Sequence, residues 1–239
     1  MGLTRQVVIA FVLLGALGVQ HASARFLAPH RAVYDLALQR ASDKSGITSV
    51  VGRMVYEFEG TACEGYTTNF RYVTRMNTES ASQLTDQRMS TFEDGAGKTF
   101  SFVTKSFVDQ SLDTEVEGTA TRGPEGISVK MVKPDKTDHK LGQGWFPTEH
   151  LFELIDKAER GENFYETNLF DGSDKADRVM TTSVVIGKRR QVTADDPEYP
   201  ALGDLRRDSY WPVTMAYFDT SGDKASAMLP IYSLAFKLH

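Results

Sequence analysis

Few residues in this 239-residue chain combine the types and spacing that chemistry needs. Glu149, His150 and Glu153 fall within one turn of a candidate helix, with His139 upstream. A zinc pair on a helix needs two histidines at i and i+4, and only one is present. Asp171, Ser173, Asp174 and Asp177 crowd oxygens that would suit calcium. The EF-hand pattern needs Gly at its sixth position and Glu at its twelfth. Those positions hold Ala176 and Thr182, so the cluster reads as turn chemistry. Gly97-Lys98-Thr99 imitates the tail of a phosphate loop, but Phe92 replaces the first glycine and a strand pattern follows. Neither a catalytic residue, a metal ligand nor a cofactor is assigned from these patterns.

Cys63 is the single cysteine, in the turn-like stretch 59–65. A lone cysteine in an exported chain implies an intermolecular bond, a free thiol or a partner that is missing. A nucleophile would need a nearby histidine and a lowered pKa. No histidine is close in sequence, so half of a structural disulfide is the preferred reading.

The elements that must position these residues are mostly strands. Polar–apolar alternation with period two begins at Ala32, Tyr34, Leu36 and Leu38, then continues with Val50, Met54, Tyr56 and Phe58. It resumes at Phe70, Tyr72 and Met76 and through 83–92, 99–107, 114–121 and 127–132. Turn residues at 42–46, 94–97 and 122–126 separate the runs, which predicts consecutive antiparallel hairpins. One segment, 148–160, instead places Leu151, Leu154, Ile155 and Ala158 at helical spacing, widened by Phe152. Thr148 is the expected N-cap, and Gly161 the left-handed end. Strands are expected again at 164–170, 179–186, 210–219 and 227–238. The fold class is therefore mainly β: a long antiparallel meander, which closing or curling would protect at its edges, with one amphipathic helix that needs a concave sheet surface to cover it.

Composition narrows the function classes. Net charge is −5, and the longest basic cluster is Lys188-Arg189-Arg190, which argues against nucleic acid as a partner. Arg5, the uncharged apolar run 7–17 and the small residues Ala22 and Ala24 form a secretory signal. Cleavage is expected between Ala24 and Arg25. Residues 1–24 are then the signal peptide and 25–239 one domain, exported and not transmembrane after cleavage.

Three motifs resemble a known family: 28–36 (APHRAVYDL), 60–66 (GTACEGY) and 146–150 (FPTEH). Together they look like the EipB cell-envelope integrity family of alpha-proteobacterial periplasmic proteins. The resemblance implies a large antiparallel sheet curled into a spiral or incomplete barrel with the helix on its concave side, a periplasmic location, and a role in envelope homeostasis and stress resistance without an established catalytic site. It also implies a disulfide from the residue matching Cys63 to a second cysteine near the C-terminus. This sequence stops at His239 without that cysteine, so it is expected to be C-terminally incomplete, lacking its last strands. Two roles follow as expectations. The first is a non-catalytic periplasmic protein that binds an unknown envelope protein or component; the alternative is a carrier of a lipid or other apolar ligand in the sheet concavity. A hydrolase built on Glu149 and His150 ranks third.

Overall fold

The computed structural model describes residues 27–173, 175–220 and 229–239. The signal and the Ala24–Arg25 cleavage position lie outside them, as do Asp174 of the oxygen cluster and the start of the last expected strand.

Eight strands form a meander, each antiparallel to the one before. They are β1 (His30–Ala37), β2 (Ile47–Thr61), β3 (Gly65–Thr78), β4 (Ser82–Glu93), β5 (Thr99–Val108), β6 (Ser111–Gly123), β7 (Gly126–Lys133) and β8 (Asp138–Leu141). The hairpins follow the turn signals. Between β4 and β5 the Asp94 carboxylate accepts the N–H groups of Ala96 and Lys98, so Gly97-Lys98-Thr99 is a hairpin turn and not a phosphate loop. Four-residue β8 was not foreseen, because Asp138-His139-Lys140-Leu141 is too short and polar to show a period.

The helix α1 (Pro147–Glu159) follows. A second antiparallel sheet then contains β9 (Phe164–Leu169), β10 (Met180–Ile186), β12 (Ser209–Phe218) and β13 (Tyr232–Leu238), with the two-residue β11 (Arg190–Gln191) beside the start of β12. Two backbone bonds tie the segment leading into α1 to the end of β9. The Trp145 N–H donates to the Asn168 carbonyl at 2.8 Å, and the Phe170 N–H donates to the Trp145 carbonyl at 2.9 Å. The result is a curled, incomplete barrel in which α1 is wedged between two ladders.

Strand register explains the wedge. Residues paired across an antiparallel ladder share a face, so Gly60, Tyr66, Glu93, Phe100, Ala120 and Val129 form one continuous inward row. Leu154 and Ala158 of α1 pack on Tyr165, Met180, Val184 and Val213 of the second sheet. Leu151, Phe152 and Ile155 pack on Phe58 and Tyr66 of the first. The rings of Phe100, Phe102, Phe146 and Phe170 close the junction, with centroids 5.3–6.3 Å apart. Such ring pairs add about 0.5–1.5 kcal/mol each beyond their burial.

The helix ends diverge from one another in predictability. At the C-terminus, Gly161 has φ +75°, its N–H donates to the Ala158 carbonyl, and the Glu162 N–H reaches back to Lys157. That is a complete Schellman stop, as Gly161 predicts. Thr148, however, is not the N-cap. Phe146 holds that position with no side-chain acceptor, because its ring is drawn into the phenylalanine cluster, and Pro147 supplies the first helical residue.

Candidate functional site at the helix N-terminus

The missing cap comes from another strand. The Glu93 carboxylate, at the end of β4, accepts the N–H of Thr148 at 2.8 Å and the N–H of Glu149 at 3.1 Å. Glu93 is 3% exposed, the single charged side chain in the inward row between Tyr66 and Phe100. Burial pushes its carboxyl up to about 7, while the helix N–H bonds pull the other way. The partial positive charge of the helix start favours an anion here.

A second clamp sits beside it. Both Nη atoms of Arg122, from β6, engage both carboxylate oxygens of Glu149, one bond measuring 2.6 Å. The guanidinium also lies 5.1 Å from the Trp145 ring centroid. Bidentate geometry of this kind fixes orientation as well as distance. Gly97 completes the fit: at φ +60° any Cβ there would fall 2.1 Å from a Glu149 carboxylate oxygen.

Next to these clamps opens a cleft of about 410 Å³, within the size range of small-molecule sites. The 94–97 turn forms one wall, Trp145 and Phe152 supply aromatic surface, and half-buried Glu153 and Asp156 come from α1. Tyr66 also lines it. That residue is 3% exposed, stacks on Phe58 at 5.2 Å, and its hydroxyl has no hydrogen-bond partner among the described residues. One buried Glu153 oxygen likewise lacks a partner there, and burial raises the Glu153 pKa. Lys157 and Arg160 at the far end both bind Glu162, at 2.9 and 3.0 Å, so much of their charge is spent.

The residues singled out from sequence separate. Glu149 and Glu153 belong to the cleft, but His150 turns away into the core, hydrogen-bonded to the Tyr165 hydroxyl at 3.2 Å. Burial lowers its pKa to about 4, which keeps the ring neutral. His139 lies on β8, near Thr137. Asp171 accepts the Ser173 N–H at 2.9 Å, the turn chemistry expected of that cluster. Among the described residues no three His, Cys, Asp or Glu side chains gather to hold a metal ion. Cys63 is exposed with a free thiol in the β2–β3 turn, so any disulfide it makes has its other half outside these 239 residues. No described helix is long and apolar enough to cross a membrane.

The family model for EipB-like proteins matches residues 21–239. The chain belongs to the EipB-like family. It is 51% identical over 219 residues to the cell envelope integrity protein EipB of Brucella abortus (strain 2308), covering 91% of this chain and 77% of that one. It also superimposes on the crystal structure of a beta-barrel-like protein of a domain of unknown function, DUF1849, from Brucella abortus. There the TM-score is 0.85 at 50% identity, covering 91% of this chain and 88% of that one. These relatives bear out the mainly β, barrel-like fold, and the name of the first links the family to envelope integrity.

Sequence reasoning missed Glu93, Arg122 and Tyr66. A signal for Glu93 existed: it stands in phase with Met89 and Thr91, on the inward side of β4, where a carboxylate is out of place without a partner.

Proposed function

We propose that this protein is exported to the periplasm, through a signal cleaved between Ala24 and Arg25, and supports envelope integrity there by binding and not by catalysis. Its ligand, an envelope component or a partner's side chain, occupies the cleft beside α1. The observation carrying this reading is the state of the cleft's acids. Glu93 is spent on helix N–H groups, Asp94 on its own turn and Glu149 on Arg122. Catalytic acids and bases must be available to exchange protons with substrate, whereas these three hold a preformed shape, and His150, the base that would have to work beside Glu153, is turned into the core.

Filling the cleft tests the reading. Ala96 is exposed at the turn tip, so Ala96→Trp should leave the thermal melt unchanged yet fail to restore detergent resistance to cells lacking the gene. Full resistance with Ala96→Trp would reject the cleft as the working site. An intact mass beginning at Arg25 in periplasmic extract would support the export route.

A second reading, lipid carriage, draws on a different observation. Further along the inward face from α1, Met54, Phe70, Tyr72, Met76 and Met89 are only half-buried, an apolar stripe of adaptable side chains. Against it, the space under α1 is filled by the packed rings described above. Lipid extracted from periplasm-purified protein would favour this reading.

A further inference from the structure

Resting on the cleft-binding reading, we propose that the cleft beside α1 recognises a protonated primary amine carried on an uncharged body. Charge balance around the cleft makes the argument. Glu149 is neutralised by Arg122, and Lys157 and Arg160, which line the far end of the cleft, both bind Glu162 just outside it. Asp94 and Glu93 are engaged with backbone N–H groups. Glu153 is left with a buried oxygen that nothing among the described residues satisfies. A cation is the chemistry such a wall selects.

Tyr66 is the independent observation. Its side chain is almost wholly buried, it lines the cleft floor, and its hydroxyl is unpaired among the described residues. A buried polar group without a partner is costly to a fold, so one that persists beneath a cleft calls for a bound group or a water that the ligand anchors. A phenolic hydroxyl can accept from an ammonium or donate to a neighbouring hydroxyl. Phe152 and Trp145 offer apolar surface to the body that carries the amine, the usual division of labour in small-molecule sites. An anionic ligand would meet Glu153 head-on.

Two sources share this chemistry, an amino sugar and the side chain of a lysine-bearing peptide, and probes distinguish them. Glucosamine, N-acetylglucosamine and n-butylamine would be titrated into the full chain while the Trp145 indole N–H is followed by NMR. Saturable shifts with glucosamine or n-butylamine at millimolar concentration are expected, with N-acetylglucosamine at least about tenfold weaker. Binding by glucosamine alone assigns a sugar amine, and binding by n-butylamine assigns an aliphatic one. Glu153→Gln should weaken binding about tenfold and Tyr66→Phe about fivefold, with melting temperatures showing both variants folded. No shift with either amine, or equal binding by N-acetylglucosamine, would overturn the proposal, as would undiminished affinity in Glu153→Gln. If Ala96→Trp nevertheless abolishes envelope resistance, the cleft stands as the working site and only the amine assignment falls.

Discussion

Arginine–carboxylate pairs occur in two places in this molecule, with different consequences. On the outward face of the first sheet, Arg31 pairs with Glu57, Arg53 with Asp35, and Arg71 and Arg88 bracket Asp86, all from arginines more than half exposed. At the head of α1, Arg122 and Glu149 are 19% and 23% exposed and lock a helix to a sheet. The residue types are the same and the geometry is comparable. What differs is water at the guanidinium: an outer arginine stays mostly in solvent and trades protein bonds for solvent bonds at little net gain, even where its carboxylate, as at Asp86, is covered. A desolvated pair leaves an uncompensated charge when either partner is lost. The outer ladder therefore contributes solubility and register, and the inner pair positions a cleft.

The sharpest way to break this contrast is Arg122→Ala. It strands Glu149 in a mostly buried position and should cost about 3 kcal/mol in urea denaturation, with loss of the cleft's order visible in the Trp145 resonance. Glu93→Ala should cost about 2–3 kcal/mol, since two buried helix N–H groups lose their acceptor. Glu93→Gln, which keeps one acceptor oxygen, should recover much of that. A Glu93→Ala protein as stable as the parent would mean that water caps the helix equally well.

Acid titration sharpens the comparison next. His150 is held near 4 against an unfolded value near 6.5, so the stability it confers is present above pH 6.5 and is lost as pH falls toward 4. Glu93, raised to about 7, does the reverse: its contribution is present below about 4.5 and is lost as pH rises through 7. Between about pH 4.5 and 6.5 the two slopes oppose each other, so denaturation midpoints of the parent should be nearly flat. His150→Gln removes one of them, and stability should then fall with rising pH by up to about 1.4 kcal/mol per unit. A flat profile in that variant would refute the assignment for Glu93.

The smallest effect belongs to the outer face. Arg71→Ala should cost less than about 1 kcal/mol and be weakened further by salt. Asp86, held down to about 2 by hydrogen bonds from Arg71 and Arg88, retains one guanidinium in that variant. In the parent its contribution is present above about 3.8 and lost as pH falls through about 2, below the range in which the helix junction titrates. A loss as large as that of Arg122→Ala would erase the distinction drawn between the two faces.

How much of this was legible in advance follows from the range of the forces. Alternation such as Val50, Met54, Tyr56 and Phe58 is local, and one wet face against one dry face demands a strand. The 3.6-residue stripe of α1 and the stop at Gly161 are local as well, and both are where the sequence puts them. The start of α1 is not local. Thr148 has the chemistry of a cap, but Pro147 and the burial of Phe146 pull the boundary upstream, and the acceptor arrives from Glu93, 55 residues away. His150, beside two acids in sequence, is separated from Glu149 and Glu153 by the turn of the helix and faces the core instead.

Sequence by itself therefore determined the hairpins, the helix and its end, and the family motifs, because each depends on neighbours within a few residues. Only the tertiary structure decided which acids are spent, which hydroxyl is left unpaired, and where a cleft opens. Those outcomes depend on desolvation and on contacts between β3, β4, β6 and α1, and nothing in the linear order records who excludes water from whom.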